Sequence, residues 1–129
     1  MSKIFVILMM LFCHILDDFC LQKAFLSSMK QKNWWKQQEG YSDKYKSDYV
    51  AALVIHSYSW AFMIMLPIAI AQGFDVGELF ACLLILNASI HLLVDHVKAN
   101  LMRINLVTDQ SIHFIQIVLT FIVWTLKTL

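Results

Sequence analysis

The stretch Val76–Val97, VGELFACLLILNASIHLLVDHV, decides how the rest of the chain is read. A helix needs roughly 20 residues at ~1.5 Å each to cross a hydrocarbon core of about 30 Å, and this stretch supplies them. It also carries His91 and Asp95 close to one end, a single helical turn apart. Working outward, three further segments of similar length lie between polar clusters: Ile4–Leu21, Tyr49–Ala71 and Leu106–Leu126. Helices are expected in all four, because spanning backbone must satisfy its own hydrogen bonds and four strands cannot close a barrel. Composition agrees: 129 residues that are 60% hydrophobic and 15% charged, with a mean hydropathy of +0.65, are too apolar for an ordinary soluble domain. The expected fold is an all-α membrane protein, a four-helix transmembrane bundle forming one domain over residues 1–129.

Composition also excludes several classes. A net charge of +1 is not that of a strongly basic nucleic-acid binder, and no nucleic-acid partner is expected. One proline and three glycines rule out a flexible linker or a collagen-like repeat. Cys13, Cys20 and Cys82 are odd in number, lie in apolar stretches and form no Cys-x-x-Cys pair, so they read as packing residues. No glycine-rich phosphate loop, Gly-x-Ser-x-Gly elbow or His-Glu-x-x-His signature is present.

The first span is the weakest, since its uninterrupted apolar run, Ile4–Cys13 after Lys3, resembles a signal-peptide core. No small-x-small cleavage site follows, and it is read as an uncleaved span. Eight of the ten basic residues, Lys23, Lys30, Lys32, Lys36, Lys44, Lys46, Lys98 and Arg103, lie in or beside the first and third connections. The positive-inside rule then predicts those connections in the cytoplasm and both termini outside it, in a bacterial inner membrane. Within the connection Gln22–Asp48, Ala24–Lys36 mixes Phe25, Leu26, Met29, Trp34 and Trp35 with lysines. That pattern suits an interfacial amphipathic helix whose lysines meet anionic lipid; an ordinary solvated loop with aromatic anchors fits it equally.

The informative residues are the ionisable ones inside the spans. An Asp at mid-span costs about 2.5–3.5 kcal/mol on insertion scales, yet Asp17, Asp18, Asp95, Asp109 and all five histidines lie in or at the ends of these segments. Counting inward from the basic end, His14 is seven residues from Leu21, His56 seven from Tyr49, His91 six from Val97 and His113 seven from Leu106. Four antiparallel helices would therefore bring them into one layer, about 10 Å deep at ~1.5 Å per residue. His14 with Asp18, His91 with Asp95, and Asp109 with His113 are each spaced i, i+4 on one helical face. Gln22, Ser59, Asn87 and Gln116 extend those polar stripes, which would turn to the bundle interior.

Imidazole and carboxylate converging from facing helices are what a divalent transition metal requires. The candidate ligands are His14, Asp18, His56, His91, Asp95, Asp109 and His113, with zinc the expected ion. Asp17 is a candidate acceptor behind a ligand or a general base, Asp95 a second candidate base, and His96 points about 100° away from the stripe. Two other readings use the same residues: His–Asp hydrogen bonds holding the helices together, or a path for protons or divalent metal. Trp60 and Trp124 are expected to face lipid or core, and the Met9–Met10 and Met63–Met65 groups to pack as apolar residues.

Three strings, His14-Ile-Leu-Asp-Asp-Phe-Cys-Leu-Gln22, His91-Leu-Leu-Val-Asp-His-Val-Lys-Ala99 and Asp109-Gln-Ser-Ile-His113, together resemble a family of small bacterial and phage integral membrane proteins known only as a domain of unknown function. The resemblance runs in order along the whole chain and matches His14, Asp18, Phe19, Gln22, Asp95, Lys98, Asp109, Gln110 and His113. Asp17 departs from the pattern, where a small residue is expected. The resemblance implies a phage or bacterial inner-membrane protein and supplies no activity. The order of His and Asp is also similar, by residue type alone, to membrane metal-dependent hydrolases such as the seven-span ceramidase-like group.

Two classes of function follow from the site. One is a membrane-embedded metal-dependent hydrolase acting on a lipid or membrane-proximal substrate, with Asp17 or Asp95 as base and the lysines drawing anionic headgroups. The other is a non-catalytic effector that binds another membrane protein or itself, its polar layer fixing the bundle. A small carrier for protons or divalent metal is a third. A catalytic site needs an open metal position and an accessible pocket, whereas a structural one can be closed.

Overall fold

A computed structural model describes residues 1–128, and among them the chain is all helical. Helix α1 (Lys3–Ile15) starts at Ser2, whose hydroxyl accepts the Phe5 N–H at 3.3 Å. It runs on through a π-helical turn, Leu16–Leu21, closed by the Gln22 N–H donating to the Asp17 carbonyl five residues back at 2.9 Å. Such widened turns accumulate at functional sites. Here the turn accompanies the burial of two consecutive carboxylates, Asp17 and Asp18, which ordinary 100° helical steps would splay apart.

The segment expected as one amphipathic helix over Ala24–Lys36 is instead two short helices, α2 (Ala24–Met29) and α3 (Lys32–Lys36). Their junction is held by Asn100, which donates to the Lys30 carbonyl at 2.9 Å and accepts the Lys32 N–H at 2.7 Å. In an unbroken helix that N–H would bond to Ser28, so the side chain of Asn100 replaces a helical bond and breaks the run.

Helix α4 (Asp48–Ala71) continues through Pro67, and α5 (Glu78–Ala99) and α6 (Leu106–Lys127) follow within two residues of their expected limits. The α4–α5 connection reverses through Gly73 and Phe74, both in the left-handed region at φ 64° and 63°. Asn105 caps α6 by accepting the Thr108 N–H at 2.9 Å.

The four long helices form a ring in which α4 packs on α1 and α5, and α6 on α5 and α1. Neighbours run antiparallel: Lys98 meets Asp109 while Asn87, earlier in α5, meets Thr120, later in α6. All four, with α1 counted through its π turn, are long and apolar enough to cross a membrane. Of their most apolar windows 56% is buried in α4 and 28% in each of the others, so α4 is the enclosed member and the rest turn broad apolar faces outward. The distribution is inside-out relative to a water-soluble bundle: Ile4, Phe12, Ile55, Leu93 and Phe114 are exposed while histidine, aspartate and asparagine are buried. This is the pattern of a chain that packs polar groups away from lipid.

Three groups fill the interior. Farthest from the α1–α4 connection, Val6, Ile64, Met65, Ile68 and Ile117 form an apolar core. At the depth of Ile117 lies a polar trio, in which Gln116 Nε2 donates to Asn87 Oδ1 at 2.8 Å and Asn87 Nδ2 to Thr120 Oγ1 at 2.9 Å. The third group, at the basic end, holds the histidines and aspartates.

Candidate metal centre

Helix geometry delivers the ligand atoms. The π turn brings Asp18 inward, α4 contributes His56, and α5 contributes His91 and Asp95 from successive turns. His56 Nε2 lies 3.1 Å from His91 Nε2, 3.3 Å from Asp18 Oδ1 and 3.6 Å from Asp95 Oδ2. His91 Nε2 is 4.0 Å from the same Asp18 oxygen and 3.7 Å from the same Asp95 oxygen. Most of these spacings exceed good hydrogen-bond length. They are close to the edge of about 3.3 Å that separates ligands on a tetrahedral ion with bonds of ~2.05 Å. Asp18, His56 and His91 can thus hold a metal ion, with Asp95 Oδ2 near both imidazole nitrogens but outside that group.

A second group, His91, Asp95 and His113, has the same capacity and shares His91 with the first. His113 Nε2 lies 3.7 Å from Asp95 Oδ1 and 3.5 Å from Asp109 Oδ1. Both His113 nitrogens, His91 Nδ1 and Asp109 Oδ1 are buried without a hydrogen-bond partner. Buried polar atoms are seldom left so, and a few others, Gln72 Oε1, Trp124 Nε1 and Thr125 Oγ1, are left so at the far end of the bundle.

The surroundings fix the rings. Ser59 Oγ donates to Asp17 Oδ1 at 2.8 Å, and Asp17 Oδ2 lies 3.6 Å from His56 Nδ1, on the side of the ring away from the cluster. A carboxylate behind a histidine in this manner sets its tautomer and raises its basicity as a ligand. Trp60 stacks on His91 with ring centroids 4.2 Å apart, and His91 stacks on His113 at 4.1 Å. Trp60 Nε1 donates to His14 Nδ1 at 2.8 Å, which occupies that nitrogen's lone pair. His14 therefore sits beside the cluster and in neither ligand group, 3.5 Å from Asp18 Oδ2. His96 stacks on Tyr49 away from the cluster, as its angle predicted.

Two cations complete the site. Lys30, grouped in the sequence with lysines facing anionic lipid, is instead buried and reaches Asp95 Oδ2 at 2.5 Å. Lys98 reaches Asp109 Oδ2 at 2.6 Å, an oxygen that also accepts from Gln110 Nε2 at 3.0 Å. If every histidine is neutral and every carboxylate ionised, Asp17, Asp18, Asp95 and Asp109 against Lys30 and Lys98 carry two negative charges in excess. Uncompensated buried charge costs several kcal/mol per ion, and one divalent cation would neutralise it.

Nothing in the sequence singled out Lys30 from its neighbouring lysines or Trp60 from other apolar aromatics. Lys98 was grouped with the same basic residues, although its place three residues after Asp95 on the same helical face was a signal that could have found it. A cleft of about 390 Å³ runs in from the basic end and reaches Asp18, Asp95 and Asp109, with Lys30, Lys98 and Gln110 in its walls. Toward the opposite end the interior is closed by Trp60, Ile64 and Ile117, each fully buried. Compared with known protein families, curated proteins and solved structures, the chain matches none.

Proposed function

We propose that this chain is a polytopic bacterial inner-membrane protein that binds a divalent metal, zinc by ligand chemistry, and uses it to hydrolyse a lipid or membrane-proximal substrate. The observation that carries the metal is the mutual spacing of Asp18 Oδ1, His56 Nε2 and His91 Nε2, between 3.1 Å and 4.0 Å. Two imidazoles and carboxylate oxygens form a donor set that zinc accepts, and comparable sets occur in catalytic sites with an open position. The cleft favours an open site over a closed structural one, since it reaches Asp18 and Asp95. Because Lys30 engages Asp95 Oδ2, three protein ligands remain and the fourth vertex is free for solvent or substrate. When bound there, such an ion acidifies a water toward a pKa of about 7 and polarises an acyl or phosphoryl oxygen.

Asp95, beside that vertex, is the base we assign, with Lys30 restraining its carboxylate. Asp17 is engaged by Ser59 and lies behind His56, which favours an orienting role over a direct one. The basic bias of the first and third connections orients the cleft toward the cytoplasm, with both termini outside. The test is elemental analysis of the full chain purified in detergent without chelator. About one equivalent of divalent metal per chain is expected in wild type, with loss in His56→Ala and His91→Ala. A folded wild-type protein free of metal that takes up none on addition refutes the reading.

A further inference from the structure

We infer that the cleft leading to this centre is a headgroup site for a phosphate-bearing amphiphile, with Lys30 and Lys98 as its anion-binding groups. The inference rests on the metal reading above and narrows its substrate class. Three carboxylates face the cleft, Asp18, Asp95 and Asp109, together with the two lysines. Asp17 lies behind His56 and does not line the cleft. Without an ion the cleft-facing charge is −1, and a divalent ion makes it +1, so an anion is attracted only by the loaded site.

The lysines are suited to that exchange. Each is now paired to a carboxylate oxygen within reach of the ligand groups, Lys30 to Asp95 and Lys98 to Asp109. An ion drawing on those carboxylates weakens their hold on the ammonium groups, whose N–H donors can then turn to an incoming oxyanion. Gln22, Gln31 and Gln110 add amide donors to the same walls. Phosphate offers several acceptor oxygens for such a donor-rich wall, whereas a neutral ester or amide offers one carbonyl.

The rim supplies the other half of the amphiphile. Phe19, Met102 and Leu106 line the mouth and are 57%, 79% and 53% exposed. Phe19 and Leu106 belong to the spans, so an apolar tail can remain beside them at the bundle surface while the headgroup enters between the helices.

The experiment is calorimetric titration of the full chain in maltoside detergent, loaded with zinc and with its metal content measured on the same sample. The probes are dihexanoyl phosphatidic acid, dihexanoylglycerol and inorganic phosphate. Phosphatidic acid is expected to bind the loaded protein and not the chelated protein, and the diacylglycerol to bind neither. Lys98→Gln and Lys30→Gln are expected to keep their zinc and to weaken binding by about tenfold or more each. Loaded wild-type protein that binds no phosphatidic acid, or binds it unchanged in both variants, overturns the inference and leaves the metal centre standing. Equal affinity for inorganic phosphate overturns the part given to the apolar rim. Absence of zinc in the sample instead refutes the metal reading itself.

Discussion

At the end of the bundle away from the α1–α4 connection, Ile64, Met65, Ile68 and Ile117 pack in an apolar cluster with Trp124, whose indole N–H has no hydrogen-bond partner. At the other end His56, His91 and His113 are equally buried, but among carboxylates and with ring nitrogens left unpartnered. The first region holds itself together by dispersion and shape, which in a membrane are the terms that remain once lipid competes with apolar contact. The second is held by charges that its own lysines balance only in part. One end therefore fixes the helices, and the other gathers groups that could hold a metal ion.

That contrast can be broken by mutation. The largest expected effect is in the apolar end: Ile64→Ala should lower stability by about 2–5 kcal/mol, and by the same amount with and without metal. The polar end should behave in the opposite manner, with zinc at a thousandfold over its dissociation constant stabilising wild type by about 4 kcal/mol and His91→Ala not at all. Reversible unfolding in mixed micelles reads both quantities. An Ile64→Ala loss that vanishes on adding zinc would show that the two ends are not independent.

Asp17 offers a finer test, because it touches the centre only through His56. Asp17→Asn should reduce zinc affinity by about 10–100-fold without abolishing it, measured by competition with a chelating dye. Unchanged affinity would remove Asp17 from the site. The smallest effect is expected at the polar trio. Thr120→Val, which breaks the bond to Asn87, should cost about 0.6–1.7 kcal/mol and leave zinc affinity unaltered.

Much of this arrangement was legible in the sequence because two regularities coincide. Equal depth placed His56, His91 and His113 in one layer, and the i, i+4 spacing placed Asp95 and Asp109 on the same faces. The four helices were legible from length and hydropathy alone. Four features were not. Asp17 and Asp18 are buried together through a π turn, and no periodicity argument based on 3.6 residues per turn foresees it. The break between α2 and α3 depends on Asn100, a residue 68 positions from Lys32, which local pattern cannot register. Lys30 enters the site because of that break, while its sequence neighbourhood resembles a membrane-surface segment. The indole N–H that occupies His14 is likewise a tertiary fact, and it separates His14 from ligands with an identical sequence signature.

Buried imidazole and carboxylate groups from three helices are proposed to share one ion. X-ray absorption at the zinc edge of the loaded full chain tests it most directly. The expected spectrum has four light-atom neighbours at about 2.0–2.1 Å, with outer-shell scattering from two imidazole rings that falls by half in His56→Ala. A spectrum without imidazole scattering, or one unaltered by that substitution, would contradict the claim.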